Sequence, residues 1–214
     1  MKILDLFSGG GGAAMGLHRA FPDAHITGVD INPQPHYPFT FVQADALTFD
    51  LTGYDFIWAS PPCQAYSVTS NMHPENAYPD LVAPTRALLE QSGKPYIIEN
   101  VVGAPLRTTV ELCGVMFGLK TFRHRRFESN IMLLAPKHSH PKGSTTNMRR
   151  GDRGQSSHKN GATHITVAGN NFNTQDGAAA LGIDWMTHKE LSQAIPPAYS
   201  EFLGRQVLAA RRTQ

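Results

Sequence analysis

Short apolar runs separated by polar, glycine-rich or proline-rich turns dominate the first half of the chain. Such runs are typical of buried strands. They predict strands at Lys2–Phe7, His25–Asp30, Thr40–Ala44, Tyr54–Ala59 and Lys94–Val102. Apolar residues at helical spacing predict helices at Ala13–Ala20 and Pro84–Ser92. Strands that alternate with helices indicate an α/β fold built on a parallel sheet.

The second half of the chain has a weaker pattern. Residues Ser129–Ala162 are polar and poor in large apolar side chains, which predicts a loop-rich insertion. The other predictions there are a short helix or turn at Glu111–Gly118, a returning strand at His164–Ala168, a capping box at Thr187–Glu190 and a last helix at Ala198–Arg211. The chain therefore divides into a core at residues 1–127, an insertion at 128–163 and a C-terminal segment at 164–214 that returns to the core.

The composition is that of a globular protein. Hydrophobic residues make up 41% of the 214 residues. No apolar run approaches the roughly 18 residues that a membrane-spanning helix needs. The N-terminus shows no signal-peptide pattern, and the two cysteines lack zinc-binding spacing. We therefore expect a cytoplasmic, monomeric protein without membrane contact.

The net charge of +2 conceals an asymmetry along the chain. The window Lys120–Asn160 holds 10 Lys and Arg against 2 acidic residues, and the rest of the chain holds 9 against 15. A basic segment on an acidic body indicates a polyanionic partner that docks on that segment. A solvated loop that happens to be basic is the alternative explanation.

A glycine-rich turn, Ser8–Gly12, lies between the first strand and the first helix. Strand, glycine turn and helix together let a backbone approach a ligand closely, with helix N–H groups facing it. The second strand ends at Asp30, about where a nucleotide-binding fold holds a ribose, and Asp45 follows the third strand. These features favour a cofactor site, although a glycine-rich connector and two helix N-caps would give the same pattern.

Cys63 follows the fourth strand on a stiff turn made by Pro61 and Pro62. This is where an open α/β sheet would present a nucleophile, whereas most free cysteines are small buried apolar residues. Glu99 lies on a strongly apolar strand, where a carboxylate needs a partner or a proton. A protonated glutamate can donate a hydrogen bond, as base recognition or acid catalysis requires.

Four histidines in and next to the insertion raise the question of a metal site. They are His138, His140, His158 and His164. Because no cysteine or carboxylate cluster accompanies them in the sequence, we expect no metal. Cys113 lies in an apolar stretch and is interpreted as core packing.

In their order along the chain, the motifs of the first half resemble those of the DNA (cytosine-5-)-methyltransferase family. Asp5–Gly12 resembles the first S-adenosylmethionine motif, and Asp30 and Asp45 match the second and third. Pro61–Gln64 matches the catalytic motif and Glu99–Val101 the base-binding motif. The resemblance implies a Rossmann-like sheet for an S-adenosylmethionine-dependent methyltransferase, with helices on both faces and a small target-recognition insertion.

The second half carries the remaining family motifs in altered form. Arg123-x-Arg125 resembles Gln-x-Arg-x-Arg, with Thr121 where Gln is usual. Thr187–Glu190 is similar to the Leu-Thr-Pro-Arg-Glu motif, and Gln193–Pro197 resembles the terminal Asn-Ala-Val-Pro motif. The last two motifs are almost fused and the insertion is short, so the chain resembles a minimal, phage-type member.

The resemblance implies transfer of a methyl group from S-adenosylmethionine to C5 of a flipped cytosine in double-stranded DNA, through a covalent bond between Cys63 and C6. The implied catalytic residues are Cys63, Glu99, Arg123 and Arg125. The implied cofactor-binding residues are Phe7, Ser8, Gly9, Gly10, Gly11, Asp30, Ile31, Asp45, Ala46, Pro62 and Gln193. Candidates for contact with DNA are Gln64, Ser67, Arg149, Arg150 and Arg153.

Two other functions are compatible with the same motifs. One branch of the family acts on cytosine in transfer RNA, and the short basic insertion is compatible with that substrate. A catalytically silent DNA-binding relative would keep the fold, but the intact Cys63, Glu99 and paired arginines argue against it. A Rossmann dehydrogenase explains neither Pro-Pro-Cys-Gln nor Glu-Asn-Val.

Overall fold

The computed structural model describes residues 1–63, 66, 79–140, 146–147, 163–170 and 172–212. The strands are β1 (Lys2–Leu6), β2 (His25–Asp30), β3 (Thr40–Gln43), β4 (Phe56–Ala59), β5 (Tyr96–Asn100), β6 (Thr109–Leu112), β7 (Arg125–Ser129), β8 (Thr146–Asn147) and β9 (His164–Ile165). The helices are α1 (Gly12–Ala20), α2 (Val82–Ser92), α3 (Thr174–Leu181), α4 (His188–Gln193) and α5 (Pro197–Arg212), with a 3₁₀ turn at Gly114–Phe117.

Seven strands form one mixed sheet in the order β3-β2-β1-β4-β5-β7-β6. The first five are parallel. Strand β7 runs antiparallel to both β5 and β6. The strand order reverses between β1 and β4, which is where open α/β sheets bind ligands at the carboxyl ends of their strands. The predicted α/β class is confirmed.

The strands alternate their side chains between two apolar layers. Ile3, Phe56, Trp58 and Ile97 belong to one layer, together with residues of α1 and α5. Leu4, Leu6, Ile57 and Ile98 belong to the other layer, together with Leu89 of α2. Since neighbouring residues of a strand point to opposite faces, the sheet is covered by helices on both sides, as predicted.

Helices α1 and α5 pack so closely that one position on α1 must be glycine. A Cβ atom at Gly16 would overlap the carbonyl oxygen of Pro197 and the hydroxyl of Ser200. That hydroxyl donates to the carbonyl oxygen of Ala13 at 2.8 Å. The first and last helices of the chain are therefore in backbone contact, which brings the C-terminal segment back to the glycine turn.

Most predicted elements of the first half are present, with ends shifted by at most two residues. The second half differs more. The short helix or turn predicted at Glu111–Gly118 is present as the 3₁₀ turn, but β6 takes up its first two residues. Strand β7, near the start of the basic window, and helix α3 were not predicted. Strand β6 alternates polar and apolar residues, whereas Phe127 is the one apolar residue of β7. Charges of the two strands pair across the ladder, with Arg126 Nε 3.3 Å from Glu111 Oε2. The arginines therefore suit a half-buried edge of the sheet as well as a loop.

Among the described residues, no helix combines the length and the apolar character needed to cross a membrane.

A buried ion pair joins α2 to β7. Arg86 Nε lies 2.6 Å from Glu128 Oε1, and both side chains are almost fully buried. A second bond of 2.8 Å joins Arg86 Nη2 to Glu128 Oε2, which also accepts from the backbone N–H of Arg107 at 2.6 Å. A charge taken out of water needs such partners, because it is costly to leave alone.

We expect Glu128→Ala to lower the free energy of unfolding by about 3–5 kcal/mol, because it leaves Arg86 buried without its partner. The matched control is Glu90→Ala. Glu90 pairs with Arg107 at 2.9 Å, but their side chains are 50% and 66% exposed, so the loss should stay below about 1 kcal/mol. Urea denaturation measures both changes, and equal losses would contradict the role given to the buried pair.

Candidate active site

A cavity of about 280 Å³ opens at the carboxyl ends of β1, β4 and β5. The glycine turn, the turn that carries Cys63 and the C-terminal segment line most of it, and the end of β2 with the loop after it, β5 and β7 contribute the rest. The lining residues are Asp5, Phe7, Ser8, Gly9, Gly10, Gly12, Ala13, Asp30, Asn32, Gln34, Ser60, Pro61, Pro62, Cys63, Glu99, Arg125, Met186, Glu190, Ser192, Gln193, Ala194 and Ile195. The cavity thus lies where the sheet order reverses.

The glycine turn is held in place by Asp30. The backbone N–H of Gly9 donates to Asp30 Oδ2 at 3.0 Å, and Asp30 Oδ1 accepts from the N–H of Asn32 at 2.9 Å. Phe7 and Gly9 have φ values of 57° and 47°, and a positive φ is costly for a bulky residue such as Phe7. Asp30 therefore fixes a sharp turn whose backbone faces the cavity.

Two buried polar atoms beside this turn lack partners. Within the described part of the chain, Asp5 Oδ1 and Ser8 Oγ make no hydrogen bond. Both residues line the cavity. Burial raises the pKa of Asp5 well above its ordinary value, although the hydroxyl of Tyr37 donates to Asp5 Oδ2 at 3.2 Å. Unsatisfied buried groups of this kind fit a ligand that brings a cation and hydrogen-bonding groups.

The C-terminal segment closes the cavity against the glycine turn. The indole N–H of Trp185 donates to the carbonyl oxygen of Gly10 at 2.9 Å. A Cβ atom at Gly12 would overlap the carbonyl oxygen of Ile195. Gly12 therefore serves a close backbone approach at the start of α1, and any larger residue there would push the C-terminal segment away.

Cys63 lies in the turn after β4, next to β5. The side-chain amide of Asn100 donates to the carbonyl oxygen of Pro61 at 2.9 Å, which ties this turn to the end of β5. Cys63 is partly buried. Burial raises the pKa of its thiol, and the positive charge of Arg125 opposes that rise. The thiol is thus accessible from the cavity and has a cation nearby that favours its thiolate.

Glu99 lies at the centre of a buried polar network. Its Oε1 is 3.0 Å from Arg125 Nε, and its carboxyl group also bonds to the hydroxyl of Ser60. That hydroxyl accepts from the indole N–H of Trp58 at 2.9 Å. Burial raises the pKa of Glu99, while Arg125 lowers it. The net rise favours the protonated form, which can donate a hydrogen bond into the cavity.

The two predicted arginines have different surroundings. Arg125 lines the cavity and contacts Glu99. Arg123 donates to the backbone carbonyl oxygens of Ala194 at 2.8 Å, of Ser192 at 2.9 Å, and of Val167. Burial lowers the pKa of Arg123 to about 9. The structure therefore gives Arg123 the task of holding the C-terminal segment that lines the cavity, and leaves Arg125 as the arginine beside the thiol.

The other residues predicted from the sequence divide into three groups. Phe7, Ser8, Gly9, Gly10, Asp30, Pro62 and Gln193 line the cavity. Gly11, Ile31, Asp45 and Ala46 are not among its lining residues: Gly11 packs against Tyr37 and Pro38, Ile31 and Asp45 are exposed, and Ala46 is in the core. Gln64, Ser67, Arg149, Arg150 and Arg153 lie outside the described residues.

Sequence analysis missed several lining residues. Asp5 carried a usable signal, because an acid inside an apolar strand needs a reason. Met186 and Ile195 carried none, since apolar residues near helix ends are ordinary core candidates. They reach the cavity because the C-terminal segment packs against Gly10 and Gly12, a contact that only the fold reveals.

The chain is similar to known methyltransferases in sequence and in fold. Residues 1–111 match the family model of C-5 cytosine-specific DNA methylases. No curated protein matches the sequence. The fold is similar to that of the methyltransferase EhMeth from Entamoeba histolytica, with a TM-score of 0.62 and 15% identity over 99% of this chain and 98% of that chain.

A weaker structural similarity is to an RNA methyltransferase from Salinibacter ruber in complex with S-adenosyl-L-homocysteine. Its TM-score is 0.35 at 15% identity, over 65% of this chain and 86% of the other. The likeness to EhMeth confirms the Rossmann-like methyltransferase fold. Because the family model covers more than half of the residues, the chain belongs to the C-5 cytosine-specific DNA methylase family, and its cofactor is S-adenosylmethionine.

Proposed function

We propose that the protein is a DNA (cytosine-5-)-methyltransferase that acts through a covalent bond between Cys63 and C6 of cytosine. One observation carries the proposal. Cys63, Glu99 and Arg125 line the same cavity as the glycine turn and Asp30. A nucleophile, a proton donor and a cation thus share one cavity with the expected cofactor site, as transfer between two bound molecules requires.

The residue types suit the chemistry of cytosine. C5 of cytosine is a poor nucleophile, and attack of the Cys63 thiolate on C6 makes it electron-rich. Protonated Glu99 would donate a hydrogen bond to N3, where negative charge develops during that attack. Arg125 would stabilise the thiolate before attack. After C5 has taken the methyl group, transfer of the C5 proton to a base and breakage of the C6–S bond would release the methylated base and regenerate the Cys63 thiolate.

S-adenosylmethionine supplies the methyl group as an electrophile. Asp5 Oδ1 and the Ser8 hydroxyl, which make no hydrogen bond within the described part of the chain, would take the charged and polar groups of its amino-acid part. Asp30 fixes the turn at Gly9 and ends β2. It would accept hydrogen bonds from the ribose hydroxyls of the cofactor. Phe7 and Pro62 would flank the cofactor from the two turns that line the cavity.

The substrate is proposed to be a cytosine flipped out of double-stranded DNA. Within a duplex, the base is stacked and its C5 and C6 atoms cannot reach a cavity. The window Lys120–Asn160, with 10 of the 19 Lys and Arg residues, is the proposed docking segment. Phosphate contacts there would position the duplex, and Arg149, Arg150 and Arg153 are the candidates for reading base edges.

DNA that contains 5-fluorocytosine should trap the enzyme covalently. Fluorine cannot leave C5 as a proton does, so the bond between Cys63 and C6 should persist after methyl transfer. Denaturing gel electrophoresis should show a complex of protein and DNA that depends on S-adenosylmethionine and is absent for Cys63→Ala. A duplex with ordinary cytosine is the matched control, because it can lose its proton and release the protein.

Methyl-transfer assays with DNA and with transfer RNA separate the competing functions. Methyl transfer by Cys63→Ala at an appreciable rate would exclude the covalent mechanism. Methyl transfer to transfer RNA but not to DNA would replace the DNA substrate by RNA. Mapping methylated cytosines in cells that express the protein would identify the DNA sequence it methylates.

Asp30→Ala should weaken S-adenosylmethionine binding about tenfold or more, since a hydrogen bond to a charged group contributes about 1.5–3 kcal/mol. Asp45→Ala is the matched control. Asp45 is exposed, accepts from the N–H of Leu47 at 2.9 Å, and is not among the cavity residues. Calorimetric titration measures both affinities. If the two substitutions weaken binding equally, the cofactor extends beyond the cavity to Asp45.

Arg125→Gln should shift the reactivity of Cys63 toward higher pH. The charge of Arg125 lowers the pKa of a thiol that burial raises, so without it the thiolate forms only at higher pH. Mass spectrometry can follow alkylation of Cys63 by iodoacetamide as a function of pH. Arg126→Gln is the matched control, because Arg126 pairs with Glu111 away from the cavity. An unchanged pH profile for Arg125→Gln would contradict this role.

A further inference from the structure

A second cluster of reactive side chains lies outside the cavity. It consists of Cys113 at the end of β6, His124 just before β7, and His138 and His140 in the segment that follows β7. Their ligand atoms all lie within 4.8 Å of one another. In the sequence, no cysteine or carboxylate cluster accompanies the histidines, but the fold brings Cys113 close to His138 and His140 and adds His124.

The spacing within the cluster matches a tetrahedral metal site. Cys113 Sγ lies 3.6 Å from His140 Nε2. In a tetrahedral zinc site, Zn–S is about 2.3 Å and Zn–N about 2.0–2.1 Å, which separates the sulfur and nitrogen ligands by about 3.6 Å. All the ligand atoms lie within 4.8 Å of one another, so side-chain movements of about 1 Å would complete the tetrahedron.

Backbone N–H groups of the 3₁₀ turn lie beside the sulfur of Cys113. The Cys113 side chain accepts a hydrogen bond from the backbone N–H of Met116 in the 3₁₀ turn. Hydrogen bonds from the backbone N–H groups of Val115 and Gly114 also reach this sulfur, although burial raises the pKa of the thiol. Several N–H groups directed at one sulfur are the outer contacts that hold a metal-bound thiolate in place.

Aromatic packing orients the histidine rings. Phe122 stacks on His140, with ring centroids 4.1 Å apart and planes at 13°. The ring of His124 lies 5.0 Å from that of His138 and 5.2 Å from that of His140. Three imidazoles this close to one another repel when they are protonated. A metal cation between the neutral rings would instead be attracted by their nitrogen lone pairs.

We propose that Cys113, His124, His138 and His140 bind one zinc ion in a closed structural site. One thiolate and three imidazoles are ligands that zinc accepts, and a site without carboxylates disfavours magnesium and calcium. Four protein ligands leave no open position for water or substrate, which is typical of structural rather than catalytic zinc. The proposed zinc site therefore holds together the end of β6, the start of β7 and the segment after β7, and we call it the zinc clamp. It does not depend on the proposed function.

The zinc clamp would fix the start of the basic segment beside the candidate active site. His124 directly precedes Arg125, and Arg125 Nη1 donates to the carbonyl oxygen of His124 at 2.8 Å. His138 and His140 end the described part of the segment that leads from β7 into the insertion. One ion would thus join the edge of the sheet, the arginine beside Cys63 and the root of the insertion.

Elemental analysis of the untagged full-length protein tests the site directly. After dialysis against metal-free buffer, we expect about one zinc per chain for the native protein, and far less for His140→Ala and Cys113→Ala. His25→Ala and Cys63→Ala are the matched controls and should keep their zinc, because neither residue belongs to the cluster. Since His140 is exposed, its variant should fold even if the buried Cys113 cannot be replaced.

Cobalt substitution provides a second readout that does not depend on activity. With Co²⁺ in place of zinc, we expect the visible bands of a tetrahedral site and a thiolate-to-cobalt charge-transfer band that Cys113→Ala removes. His140→Cys, unlike His140→Ala, should keep metal binding, and its second thiolate should strengthen the charge-transfer band. Native protein without stoichiometric zinc, or zinc retained by both His140→Ala and Cys113→Ala, would overturn the proposal.

Discussion

The close contact between the two ends of the chain determines the site. Helix α5 packs on α1 at Gly16, and the carbonyl oxygen of Ile195 occupies the space that a side chain at Gly12 would need. Arg123 donates to three backbone carbonyl oxygens of the C-terminal part of the chain, and Trp185 donates to Gly10. Without these contacts the cavity would lose one wall, although the sheet would remain.

Burial and charge act on the thiol and the acid of the cavity in opposing ways. Burial raises the pKa of both Cys63 and Glu99, and the charge of Arg125 lowers both. The proposed reaction needs one of them ionised and the other protonated. Arg125 lies 3.0 Å from the carboxyl group of Glu99, so a thiolate at Cys63 would draw on the same cation. Ionisation of one of these two groups therefore makes ionisation of the other less favourable.

Local patterns predicted the parts of the fold that depend on local chemistry. The buried parallel strands, the glycine turn and the Thr187–Glu190 capping box are all present, because each follows from residues close together in sequence. The role of Arg123 and the assembly of Cys113 with His124, His138 and His140 depend on strands β6 and β7. Because these strands carry many charged residues, the sequence pattern did not predict them as an edge of the sheet. The proximity of those side chains could therefore not be predicted either.

The short insertion needs a source of stability outside itself, and the edge of the sheet at β6 and β7 could provide it. A segment that is poor in large apolar residues cannot form a core of its own, and ordering it costs about 1–2 kcal/mol for each residue in backbone entropy alone. A metal ion held by one cysteine and three histidines would offset that cost at its root, because binding free energy then becomes folding free energy. Strand β7 contributes Arg125 and follows His124 directly. The same strand can therefore support both the chemistry of the cavity and the segment proposed to hold the nucleic acid.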